Sequence, residues 1–156
     1  PLEVLNRGFG GAQISHVIYH FEEIIKPYNP KAIVFFCGTN DLTALKTPEE
    51  TVHDFKKFYS LIRNQFGNIK VYMIGIKPSV ERFYLDEEEK IFNNSIKLLA
   101  SQDAYLEYID VWDSMLSEDG SRMPELYIED GLHMNKKGYE VWTKLVRKSL
   151  LKDFNI

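Results

Sequence analysis

The sequence predicts an α/β protein, with a parallel sheet covered by helices on both faces. Three observations carry this. Strand-like and helix-like segments alternate along the whole chain. One strand-like run, AIVFF at residues 32–36, is apolar without interruption, the pattern of a strand buried on both faces. Two clusters, NRGFGG at residues 6–11 and GTND at residues 38–41, each follow a strand-like run. In open α/β sheets ligands sit beyond the carboxyl ends of the strands.

The elements follow in order. Residues 2–5 are a short apolar run that reads as a strand ending at the glycine cluster. Residues 13–26 carry Ile14, Val17, Ile18, Phe21, Ile24 and Ile25 at helical spacing, and Pro27 and Pro30 stop that helix. After the strand at 32–36, Pro48 opens a helix at a favoured early position. Val52, Phe55, Phe58, Tyr59 and Ile62 form its core face, and Gly67 follows it. Residues 69–76 read as the next strand. A loop with Pro78 leads to a helix that starts with four acids, Asp86 to Glu89, which suits the helix macrodipole. Ile91, Ile96, Leu98 and Leu99 lie in it. Residues 105–111 are the last strand. A loop then runs to Asp130, and Asn135 caps a closing helix that extends to about Leu151.

With 156 residues the chain has the length of one domain and can bury a real core. There are no repeats, low-complexity tracts or linkers. The 19 basic and 23 acidic residues give a formal net charge of −4. No basic cluster marks a nucleic-acid surface, and Lys56-Lys57 and Lys136-Lys137 read as solvated helix positions. No apolar run is long enough to span a membrane. Cys37 is the only cysteine, so an intrachain disulfide and a multi-cysteine metal site are excluded. A lone cysteine slightly favours a reducing, cytoplasmic setting, and an export signal remains open because the sequence starts at Pro1.

Three clusters carry chemistry. In NRGFGG, glycines let the backbone turn sharply and leave N–H groups open to a ligand, and the helix start that follows favours negative charge. A plain strand–helix turn is the simpler reading, and no GxxxxGK[ST] pattern supports phosphate binding. In GTND, Asn40 offers amide donors to a developing oxyanion, while Asp41 reads as a turn or cap residue. In DGLH at residues 130–133, Asp130 can accept from one ring nitrogen of His133 and leave the other as a base. A metal reading would use Asp130, His133 and Glu129, but it lacks a second nearby histidine.

Taken together and in this order, the clusters resemble the blocks of the SGNH hydrolases, also called the GDSL esterase/lipase family. The resemblance implies a three-layer α/β/α sandwich with a flavodoxin-like parallel sheet. It implies Gly11 and Asn40 as the oxyanion hole and Asp130 and His133 as the acid–base pair. It further implies a serine nucleophile, an acyl-enzyme and a small-molecule ester substrate, with no cofactor. The family's range includes lysophospholipids, short acyl esters and acetylated sugars. Loops such as 77–85 and 117–129 would shape specificity, and Arg82 in the first reads as a solvated loop residue.

The family's first block, Gly-Asp-Ser, is absent. The expectation is therefore an SGNH-like domain over residues 1–156 that is N-terminally incomplete, with its first strand and its nucleophile outside this sequence. Ser15 reads as structural and Ser79 has no support from motif order. Cys37 is a conceivable thiol partner for His133, but a buried packing role fits it better. His16, His20 and His53 read as surface or satisfied residues. The alternative function is a non-catalytic ligand- or carbohydrate-binding module on the same fold. A monomer is the default.

Overall fold

The computed structural model describes residues 3–154. Three parallel strands form one sheet in the order β1 (Ala32–Phe35), β2 (Lys70–Ile74), β3 (Leu106–Ile109). Ala32 pairs with Lys70, and Val71 pairs with Leu106. Each crossover contains a long helix, α4 (Pro48–Phe66) between β1 and β2, and α5 (Asp86–Ser101) between β2 and β3. The closing helix, labelled α6 because three short helices precede α4, is Lys136–Asp153.

The pleat sends alternate side chains to opposite faces. Phe35, Val71, Met73 and Leu106 enter one core with Phe55, Phe58 and Ile62 of α4 and Phe92 and Ile96 of α5. Phe35 stacks on Phe58 with ring centroids 4.2 Å apart. Tyr72, Ile74 and Ile109 face the other way and pack with Met115, Leu126 and Trp142, the last on α6. The sheet is thus covered by helices on both faces, as the alternation predicts. Of the helix boundaries, Thr47 caps α4 by accepting from Glu50 N–H at 3.2 Å, with Pro48 in the first turn. Asn135 caps α6 by accepting from Lys137 and Gly138 N–H at 2.9 and 3.3 Å.

Three expectations need correction. The predicted strand at residues 2–5 does not form over 3–5, and Leu2 lies outside the described residues. Val4 and Leu5 are exposed. A strand needs a ladder partner, and these residues pair with none of the three strands. The run at 32–36 is not buried on both faces. Val34 is 45% and Phe36 38% exposed, because β1 is an edge strand, although Trp142 of α6 meets the Phe36 ring edge-on at 4.8 Å. The helix expected over 13–26 is broken at His20 into α1 (Ile14–Tyr19) and α2 (Phe21–Ile24), followed by a 3-10 turn over Lys26–Tyr28.

The last three residues of GTND begin a short helix, α3 (Thr39–Thr43), entered through Gly38 at φ +131°. Only glycine takes that conformation without strain, and a Cβ there would also stand 3.2 Å from Ile76 and Phe92. Asp41 of α3 is fully buried. Its carboxylate accepts from Ile14 N–H at 3.1 Å, capping α1 from a distance, and from Lys46 Nζ at 2.8 Å. Lys46 also meets Asp54 at 3.0 Å.

Removing one partner of a buried charged pair strands the other. Asp41→Ala should therefore destabilise the fold by about 3 kcal/mol, read as a lower urea midpoint, and Asp41→Asn by less. A midpoint unchanged in the alanine variant would show that the cap contributes nothing.

Candidate active site

The site is assembled where the chain leaves β1 and β2. Just beyond β2, Gly75 N–H still donates to Ile109 C=O at 2.9 Å, and the chain then leaves the ladder. Asn93 of α5 replaces a neighbouring strand locally: its Oδ1 accepts from Ile76 N–H, and its Nδ2 donates to Ile76 C=O, both at 2.8 Å. The next residues are held from the other side. Tyr127 Oη donates to Pro78 C=O. Arg122 donates from Nε to Ser79 C=O at 2.7 Å and pairs through Nη2 with Asp86. Ser79 is buried and its Oγ accepts from Arg82 N–H. This seated segment then grips the loop that carries Asp130 and His133. Val80 and Glu81 N–H donate to Gly131 C=O at 2.9 and 3.1 Å. Lys77 Nζ donates to Leu132 C=O at 2.7 Å. Gly131 sits at φ +65°, and a Cβ there would be 3.1 Å from Val80, so the two loops can approach this closely only with glycine at 131.

Within the loop, Asp130 Oδ1 accepts from Leu132 and His133 N–H at 2.8 and 2.9 Å, and Oδ2 meets His133 Nδ1 at 2.6 Å. The bond to His133, then the two backbone donors, holds the Asp130 carboxyl down at about 2. The carboxylate therefore stays ionised at neutral pH, orients the ring through Nδ1 and leaves Nε2 free. The His133 side chain is 72% exposed, so Nε2 is accessible to a reacting group.

Asn40 lies at the start of α3. Its Nδ2 donates to Ala12 C=O at 3.0 Å, and its Oδ1 accepts from Arg82 Nη1 at 3.1 Å. One amide hydrogen remains for a ligand. The contact with Ala12 brings Asn40 beside Gly11, which is exposed at φ +69°. The structure therefore joins Gly11 to Asn40 through Ala12, and Asn40 to the Asp130–His133 loop through residues 77–82. The helix-start charge expected after NRGFGG is small. The helix is six residues long, and its first N–H is already taken by Asp41.

The remaining candidates resolve as follows. Cys37 is buried and donates weakly to Ala12 C=O at 3.4 Å. Burial, then the negative charge of Asp41, pushes its thiol up to about 12, which leaves it protonated and a poor nucleophile. Ser15 Oγ accepts from Lys46, and His16 Nδ1 accepts from Gln13 N–H. Among the described residues, no three His, Cys, Asp or Glu side chains group to hold a metal ion, Glu129 included. No helix among them is long and apolar enough to cross a membrane.

Arg82 is not simply solvated, since Nη1 also donates to Thr39 Oγ1 at 3.1 Å. Of the four acids in the first turn of α5, Glu89 has a second role that the sequence reading missed. It is 1% exposed, and its Oε1 accepts from Thr39 Oγ1 at 2.9 Å. Its spacing to Phe92, Asn93 and Ile96, at i+3, i+4 and i+7, is the core-face pattern and was the available signal. Burial raises the Glu89 carboxyl to about 7, against the Thr39 bond and the charge of Lys77. Burial also lowers Lys77 to about 8.

A parallel sheet covered by helices on both faces, with Asp130 and His133 hydrogen-bonded on a loop held by the segment that follows β2, is a layered α/β/α architecture. The model of the GDSL-like lipase/acylhydrolase family matches residues 1–141, and the chain belongs to that family. It is 28% identical over 144 residues to the N-acylneuraminate cytidylyltransferase of Escherichia coli O18:K1:H7, covering 90% of this chain and 33% of that protein. It is 24% identical over 155 residues to platelet-activating factor acetylhydrolase IB subunit alpha1 of Bos taurus, covering 97% of this chain and 65% of that one. The chain thus spans a third of the length of the first relative and under two thirds of the second. Among solved structures it resembles a GDSL-like lipase from Bacteroides thetaiotaomicron (TM-score 0.79, 23% identity, 95% of this chain and 75% of the other). It also resembles a carbohydrate esterase family 3 protein from Talaromyces cellulolyticus (TM-score 0.79, 18% identity, 95% and 72%). These two likenesses concern the fold.

A carboxyl whose pKa is raised on folding is protonated in the native state where the unfolded chain has already ionised. Stability then falls as pH rises, here from about 4.5 to about 7. Glu89→Gln removes that dependence but adds a buried amide donor, a pH-independent penalty. The variant should therefore gain on the parent protein across that window, measured by urea unfolding at pH 4.5, 6 and 8. A constant difference would show that Glu89 titrates as an ordinary carboxyl.

Proposed function

We propose that the protein is a serine-type ester hydrolase acting through an acyl-enzyme, with its nucleophilic serine outside residues 1–156. The observation that carries this reading is the Asp130–His133 pair at 2.6 Å, on a loop tied by residues 77–82 to Asn40. Family membership supports ester hydrolysis in general. The open outer edge of β1, with Val34 and Phe36 exposed beside it, suits a further strand that would bring the serine to the same end of the sheet.

In this reading His133 Nε2 removes the serine proton as Oγ attacks the ester carbonyl. Asp130 holds the ring by Nδ1 and stabilises the imidazolium that forms. Gly11 N–H and the free Asn40 amide hydrogen receive the tetrahedral oxyanion. His133 then passes its proton to the leaving alcohol. Water enters by the same route, losing its proton to His133, which returns it to the serine Oγ as the acid leaves. The substrate is a small-molecule ester. The buried thiol at Cys37 and the occupied hydroxyls of Ser15 and Ser79 make none of them a competing nucleophile.

The test uses the full-length protein on short p-nitrophenyl esters. His133→Ala should abolish turnover and leave the unfolding midpoint unchanged. Asn40→Ala should lower kcat by about 10²- to 10³-fold. A fluorophosphonate should label one serine upstream of Pro1. Full turnover in the His133 variant refutes the assignment. An unlabelled, inactive protein that binds a ligand identifies a binding module instead.

A further inference from the structure

Asn40 has a conformational problem that the fold solves with three side chains. An asparagine amide turned by 180° would point its oxygen, not its N–H, toward a developing oxyanion. Ala12 C=O fixes one end of the amide, because only Nδ2 can donate to it. Arg82 fixes the other, because a guanidinium can only donate, and it donates to Oδ1. The same Nη1 reaches Thr39 Oγ1, and the Thr39 hydroxyl donates onward to Glu89 Oε1. Glu89 is buried on α5, and its Oε2 has no partner. The Thr39 hydroxyl is thus held by Glu89 with its lone pair toward Arg82. Arg82 is itself anchored at its backbone by Ser79 Oγ.

We propose that Arg82 is a positioning residue for Asn40. Through Oδ1 it selects the amide orientation that offers the free N–H to the oxyanion, and Glu89 supports it through Thr39. The cation also draws electron density toward Oδ1, which makes the remaining N–H a stronger donor. This rests on the reading of Asn40 as an oxyanion donor. It assigns Arg82 an action on the transition state that is independent of any charge on the substrate.

The test is a double-mutant cycle in the complete protein on an uncharged short-chain p-nitrophenyl ester. Arg82→Gln should lower kcat on the order of 10- to 100-fold, as expected for one charge-assisted hydrogen bond, with KM changed by less than about 2-fold. In the Asn40→Ala background the same substitution should have an effect under about 3-fold. Arg82→Lys keeps the charge but loses the planar donor geometry. It should show the same coupling, and it carries the cycle if the glutamine variant does not fold. Full additivity of the two substitutions would overturn the proposal. So would a raised KM with kcat unchanged, which means direct substrate contact, or a lowered unfolding midpoint with kcat unchanged, which means a structural role. If Asn40→Ala alone leaves kcat unaltered while His133→Ala abolishes it, the hydrolase reading survives, but Asn40 as oxyanion donor falls and this proposal with it.

Discussion

Asn93 reaches from α5 to both backbone polar groups of Ile76, and the chain beyond β2 depends on it. Buried backbone groups must be paired. A chain leaving the end of a sheet usually meets that demand by turning into a loop at the surface. Here one amide side chain satisfies a residue that has left the ladder, so the backbone runs on, buried, for several residues more. Those residues then supply what the neighbouring loops need: Lys77 for Leu132, the N–H groups of Val80 and Glu81 for Gly131, and Arg82 for Asn40. The Asp130–His133 loop and Asn40 lie far apart in sequence. Their common support is the stretch from Ile76 to Arg82.

The charges beneath the site are costly to bury, and the direction of their pKa shifts records it. Lys77 is pushed down and Glu89 is pushed up, each toward its neutral form. Groups of this kind add little to net stability compared with well-packed apolar residues. Their contribution is directional. Each holds a named atom: a carbonyl of the DGLH loop for Lys77, the Thr39 hydroxyl for Glu89. Asp41 follows the same logic under the first glycine turn, where a fully buried carboxylate joins the start of α1 to α3 and Lys46. The apolar clusters on the two sheet faces supply the stability that makes such placements tolerable.

Where neighbours in sequence decide the structure, it was legible. The strand at 32–36, the start of α4 at Pro48 and the Asn135 cap of α6 all follow from local pattern, and all are found within a residue or two. The Asp130–His133 bond spans three residues and was equally readable. The partners that were missed are distant: Asn93 and Ile76 are 17 residues apart, Asp41 and Ile14 are 27, and Arg82 and Asn40 are 42. Composition gives an arginine in a loop no partner, so solvation was the natural reading until the fold brought α3 beside it. The strand expected at 2–5 does not form over 3–5, for the opposite reason. The apolar character of the run was real, but strand structure belongs to a pair of segments, and a single segment does not carry it.

The outer edge of β1 has a further consequence, for handling and for inheritance. Its unpaired backbone and the exposed Val34 and Phe36 form a template onto which any extended segment can add. Such an edge can take an extended segment of a second copy as readily as one of its own chain. If the strand that closes the edge also carries the serine, then colloidal stability and catalytic competence are inherited together.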